Sequence, residues 1–308
     1  MKDAVSPFAD AALAPETVAF NAELAATLDG LPTPMEVPLD LIRMARAEGR
    51  GIFPKSGPLE GSRWQDLPGG GRVRLSPAAG AAIGTYLHIH GGGWTIGAPD
   101  QADLPNQRIA AETGGDVVSV QYRLAPEHPW PAAADDCEAA ALWLLENRSG
   151  PVVIGGDSAG AHLSVVVLQR LKARGLAERI LGAVLNYGMF DLRMTPSMQR
   201  WGDRYLILST PVVAWFAGNL LGGHDPADPA VSPLLADLSG MPPALFQIGT
   251  MDPLLDDSLF MAARWQAAGV AADLAIYPGG VHAFDAFDIP IARRAQARQS
   301  AFIAACFS

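Results

Sequence analysis

Apolar residues recur along this chain in two alternating patterns. Short β-branched runs that end at glycine or a polar residue are followed by longer stretches with apolar positions three and four apart, which predicts buried strands leading into helices. Strands are predicted over residues 83–89, 116–121, 180–185, 244–248 and 272–277, and another starts at Val152. Helices are predicted over 102–113 and 134–146, and again after Ser158. Alternating runs at 63–67 and 72–75, around Gly69-Gly70-Gly71, predict an antiparallel hairpin at one sheet edge. Two helical segments, 16–28 and 39–48, are separated by Leu31-Pro32-Thr33-Pro34-Met35 and precede every strand signal. They are therefore read as a cap over the sheet. A second cap insertion, from 190 to about 228, breaks the strand–helix rhythm and carries Trp201, Tyr205, Trp215 and Phe216, aromatics read as core before pocket wall. The expected fold class is α/β: a mostly parallel eight-stranded sheet with helices on both faces, preceded by a helical cap over 1–55. No internal repeat is visible.

The most informative stretch follows Val152-Val153-Ile154, where Gly156-Asp157-Ser158-Ala159-Gly160 turns sharply into an apolar helix. A serine at such an elbow sits in strained backbone with its hydroxyl presented above the sheet, which makes Ser158 the candidate nucleophile. The motif is short and the chain has 32 glycines, so the rest of the sequence must support it. The strand over 83–89 runs into His90-Gly91-Gly92-Gly93-Trp94, at the sheet edge where ligands bind in α/β folds. Amides without side chains can meet an oxyanion there. A phosphate loop is excluded by the missing Lys-Ser/Thr ending. The prolines of residues 122–133 exclude regular structure, and Arg123 and Glu127 are expected to hold that loop as an ion pair.

Two further strand ends carry chemistry. Asp252 follows the strand over 244–248 and His282 follows the one over 272–277, so both reach the edge where Ser158 sits. Ser, Asp and His in that chain order match the hydrolase elbow arrangement. A serine hydroxyl needs an imidazole to take its proton, and the imidazole needs a carboxylate on its other nitrogen to fix the tautomer. The other histidines suit the role less well. His162 lies one helical turn beyond Ser158, His88 and His90 share a strand face without a third metal ligand, and His128 and His224 lie in a proline loop and a turn. Asp252 comes first after its strand and Pro253 fixes its turn; Asp256 is expected to face its own helix terminus.

At 308 residues and 49% apolar content, the chain can build one large α/β domain with an accessory piece. A net charge of −10 without clustered Lys or Arg argues against nucleic acid, and none is expected as a partner. No signal-peptide pattern or membrane-length apolar run is seen, so a cytoplasmic location without membrane insertion is expected. Cys137 and Cys306, far apart and without metal spacing, are read as inert thiols.

Taken together, His90-Gly91-Gly92-Gly93-Trp94, Tyr122-Arg123-Leu124-Ala125-Pro126-Glu127, Gly156-Asp157-Ser158-Ala159-Gly160, Asp252-Pro253-Leu254 and His282-Ala283-Phe284 resemble the hormone-sensitive lipase-like esterases, bacterial family IV of the α/β-hydrolase fold. The resemblance covers roughly residues 80–300. It implies a Ser158, Asp252 and His282 triad and oxyanion donors at Gly91, Gly92 and Ala159. It also implies an α/β-hydrolase catalytic domain over 56–308, short acyl chains, no metal or cofactor, a bracing role for His90, and a homodimer paired through the last strand. The chain departs from the family pattern at Gln121, Ala161, Gly188 and Leu255-Asp256-Asp257 without losing a catalytic atom. The expected function is a serine carboxylesterase acting on a small-molecule ester. An amidase or thioesterase using the same triad is one alternative; the other is a non-catalytic binding module like the relatives of this fold that have lost the triad histidine, against which stands the presence of His282.

Overall fold

The computed structural model describes residues 6–308. At its centre β5 (Val152–Asp157) pairs in parallel with β3 (Thr85–Ile89) and β6 (Gly182–Asn186). These runs carry apolar residues without alternation because both faces of the sheet are covered. Tyr86, Val153 and Val184 face α3 (Asp103–Thr113) and α9 (Pro290–Phe307), where they meet Ile109, Ala110, Ile303 and Phe307. Their neighbours Leu87, Ile154 and Leu185 point the other way, into the larger core shared with α4 (Ala132–Asn147), α5 (Ala159–Ala173) and α8 (Leu255–Ala267).

The complete sheet adds β1 (Arg63–Asp66), β2 (Arg72–Ser76), β4 (Asp116–Gln121), β7 (Ala244–Met251) and β8 (Ala272–Val281), in the order β1-β2-β4-β3-β5-β6-β7-β8. The first two strands are antiparallel to their neighbours, and the other pairings are parallel. The parallel strands therefore end along one edge. β8 runs four residues past its expected end, although Pro278-Gly279-Gly280 reads as a turn in sequence. Its ladder with β7 resumes at Met251 and Val281 beyond an irregularity between Gly249 and Met251.

Helix α1 (Pro15–Asp29) lies against β8, with Asn21 Nδ2 donating to Gly279 O at 2.8 Å and Phe20 packed on Phe287. Helix α2 (Leu39–Ala47) is tied to the loop after β3 by Arg43, whose Nε donates to Thr95 O at 2.9 Å. The segment after β6 contains α6 (Pro196–Trp201) and α7 (Thr210–Leu221), the latter capped by Ser209 and stopped at Gly222 in the left-handed region. The Phe216 ring of α7 sits directly over Gly93.

Two expected side-chain contacts are replaced by others. Arg123 and Glu127 do not pair with each other. Arg123 forks onto Asp136 of α4 with Nε and Nη2 at 2.9 Å, while Glu127 takes Arg43 of α2 at 2.7 Å. Each finds its partner on the helix that packs beside it. Asp256, expected to face its own helix terminus, turns to α6 and accepts the Ser197 amide at 2.7 Å. The first amides of α6 have no acceptor within their own helix, and the first turn of α8 supplies one.

Candidate active site

The elbow folds as it does because backbones must pass very close. A Cβ on Gly156 or Gly160 would lie 2.1 or 1.9 Å from the Ile89 carbonyl oxygen, so only glycine lets β3, β5 and α5 meet there. Between them Ser158 has φ 55° and ψ −116°, a conformation that costs an L residue energy. Its amide donates to Asn186 O at 2.9 Å. The hydroxyl is left at the open end of the sheet.

His282 and Asp252 arrive from the ends of β8 and β7. Ser158 Oγ is 2.9 Å from His282 Nε2, and His282 Nδ1 is 2.8 Å from Asp252 Oδ2. Asp252 is 2% exposed, and its second oxygen accepts the Leu254 amide at 2.9 Å. With Nδ1–H donated to the carboxylate, Nε2 is left to accept the serine proton. The three residues predicted from sequence are thus brought into one hydrogen-bonded run.

The glycine turn lies beside it. A Cβ on Gly91 would be 2.7 Å from Asp157 O and 3.5 Å from Ser158 Cβ. The amides of Gly91, Gly92 and Ala159 have no protein acceptor among the described residues, so these three predicted donors are unspent. His90 holds the turn: its ring stacks on Tyr122 at 4.2 Å and its Nδ1 is 2.9 Å from Gly91 O. Burial lowers its pKa to about 3, which keeps the ring neutral. The turn is also fixed from Trp94, whose Nε1 donates to His162 Nδ1 at 3.1 Å, while His162 Nε2 donates to Val231 O at 2.8 Å. His162 is likewise held neutral, lowered to about 4 by burial.

Under the elbow, His88 bridges Ser119 at 2.8 Å and Asp157 at 3.2 Å. His128 and His224 are exposed. Burial pushes both thiols up, Cys137 well above its usual value, and neither is in a disulfide. Among the described residues, no group of three or more His, Cys, Asp or Glu is placed to hold a metal ion. No helix there is long and apolar enough to cross a membrane.

Tyr187 was missed by sequence reasoning. Its ring meets the His282 ring edge-on at 5.0 Å, and its hydroxyl donates to Asp285 Oδ1 at 2.7 Å. The available signal was an aromatic residue directly after a strand, at the same edge as the triad. Two other carboxylates matter here. Burial, then the charge of Asp157, pushes Asp285 up to about 6. Asp257 is pushed up to about 7 by burial, although Phe190 N, Asp191 N and Thr195 Oγ1 donate to it.

Residues 86–286 match a family model described as alpha/beta hydrolase fold. The chain belongs to the α/β-hydrolases. It is 38% identical over 222 residues to carboxylic ester hydrolase LipN of Mycobacterium tuberculosis, a match covering 68% of this chain and 59% of that protein. It is 37% identical over 216 residues to ethyl acetate hydrolase of Pseudomonas putida, covering 67% of this chain and 66% of that one. The crystal structure of a hormone-sensitive lipase from a metagenome library superposes with a TM-score of 0.86 at 30% identity, covering 95% of this chain and 98% of that one. Within the α/β-hydrolases, the protein is a member of the hormone-sensitive lipase family of carboxylic ester hydrolases.

Proposed function

We propose that this protein is a serine carboxylesterase for short-chain acyl esters, with Ser158 as nucleophile, His282 as general base and acid, and Asp252 as the group that orients His282. The single observation that carries the reading is the unbroken run from Asp252 Oδ2 to His282 at 2.8 Å and from His282 to Ser158 Oγ at 2.9 Å. As Ser158 Oγ attacks the ester carbonyl carbon, its proton passes to His282 Nε2, and the buried Asp252 carboxylate stabilises the imidazolium that forms. The carbonyl oxygen gains negative charge, which the unspent amides of Gly91, Gly92 and Ala159 receive. His282 then returns the proton to the leaving alcohol. Water attacks the acyl-enzyme with His282 again as base, and Ser158 is regenerated with release of the acid.

The short-chain preference is supported by the likeness to an ethyl acetate hydrolase. An organophosphonate ester followed by intact mass and peptide mapping tests the core of the proposal. Covalent addition at Ser158 that disappears in His282→Ala is expected; folded protein that takes no adduct would overturn it. Matched ester and anilide substrates separate an esterase from an amidase.

A further inference from the structure

Helix α2 carries two arginines three positions apart, and so on one face. Arg43 is fully engaged: Nε donates to Thr95 O at 2.9 Å, Nη2 to Ala125 O at 3.0 Å, and Nη1 and Nη2 grip Glu127 at 2.7 and 2.9 Å. Arg46, one turn on, is half-buried and barely used. Its Nε donates to Gln101 Oε1 at 3.1 Å and its guanidinium lies 5.4 Å from the centre of the Phe53 ring. Its Nη donors have no protein acceptor, and no carboxylate pairs with it, among the described residues.

Its surroundings belong to the active site. Arg43 bonds Thr95, in the turn that begins at Gly91, so the shared face of α2 is directed at that turn. The positive charge of Arg46 bears on His90, the ring that stacks on Tyr122 behind the glycine turn. Phe53, beneath the guanidinium, stacks on Phe287, five residues beyond His282. Burial of a cation is costly when no ion pair offsets the lost hydration. A simple alkyl ester has nothing to offer that charge.

We propose that Arg46 recognises a carboxylate on the substrate, so that the preferred esters are those that keep one free carboxylate on the acyl or the alcohol side. A planar guanidinium with both Nη groups unspent suits a carboxylate held by two parallel hydrogen bonds. The nearby protein carboxylates do not take this place. Asp157 is held by His88 Nε2 at 3.2 Å and Asn186 Nδ2 at 2.9 Å, and Asp285 receives the Tyr187 hydroxyl at 2.7 Å. Arg108, half-buried and without a protein hydrogen bond among the described residues, has the carboxylates of Glu112, Asp285 and Asp157 close by to oppose the effect of its burial. This inference rests on the esterase reading above.

The test compares esters of matched carbon skeleton in the full chain: monoethyl glutarate with ethyl pentanoate, and butanoyloxyacetate with ethyl butanoate. In at least one pair the anion should be favoured in kcat/KM by about tenfold, as for a charge-assisted contact. Arg46→Gln should remove most of that ratio, Arg46→Lys should keep part of it, and added salt should weaken it. Wild-type enzyme that hydrolyses the neutral esters without favouring either anion overturns this inference alone, whether or not the variants fold. A preference that survives Arg46→Gln overturns it as well. No turnover of any of the four esters overturns the esterase reading, and this inference with it.

Discussion

The strain at Ser158 can be measured by comparing two substitutions at that position. Ser158 is held at φ 55° and ψ −116° by the close approach of β3, β5 and α5 on either side, so the conformation persists whatever side chain it carries. Ser158→Ala and Ser158→Gly both remove the hydroxyl and its 2.9 Å contact with His282, so that loss cancels in the comparison. What differs is the Cβ. Removing it relieves backbone strain of about 1–3 kcal/mol, while the greater freedom of glycine in the unfolded chain takes back about 0.5–1 kcal/mol. The glycine variant should therefore be the more stable by up to roughly 2.5 kcal/mol. In a chain of this size that is a difference of up to about 4 °C in midpoint. Thermal unfolding followed by circular dichroism reads it directly, and ester hydrolysis should fall by at least about 10³-fold in both. An alanine variant more stable than the glycine variant by about 0.5–1 kcal/mol, the unfolded-chain term alone, would mean that no strain is stored at the elbow, and the argument from φ would be wrong.

Two further outcomes follow from groups outside the triad. The raised pKa of Asp257 means that the folded protein keeps a proton between pH 4 and about pH 7 that the unfolded chain has lost, so stability should fall as pH rises through that window. Asp257→Asn should lose less stability than wild type between pH 5 and pH 8 in urea unfolding; an unchanged difference would remove Asp257 as the cause. Arg43→Met should cost about 2–3 kcal/mol, because it deletes two hydrogen bonds from a charged donor to backbone carbonyls. Glu127→Gln should cost under about 1 kcal/mol, since that carboxylate is half exposed. Equal losses on unfolding would show that the ion pair, not the backbone contacts, holds α2 in place.

The parts of this molecule that were legible in its sequence are those decided locally. Buried strands announce themselves as β-branched runs, and Ser158, Asp252 and His282 each sit at the end of one, so a parallel sheet brings them together without further information. Contacts between distant elements were not legible in the same way. Arg123 and Glu127 are neighbours in sequence, yet each pairs with whichever helix lies across from it, and nothing local to the loop says that Arg43 is 84 residues away. Nothing in the sequence around Asp257 signals its burial, which comes from the return of the segment after β6. The end of β8 was misjudged because Pro-Gly-Gly favours a turn when no neighbouring strand is considered.

The amides of Gly91, Gly92 and Ala159 are main-chain groups, and that has a consequence for how this site drifts over time. A device made of backbone has no side chain to replace and no proton to gain or lose across the range in which a histidine titrates. It is inherited with the path of the chain, and a lineage can exchange most of the surrounding residues without touching it. Conversely, an alanine scan, which deletes side chains, would pass over Ala159 altogether and would record Gly91 and Gly92 only as steric faults.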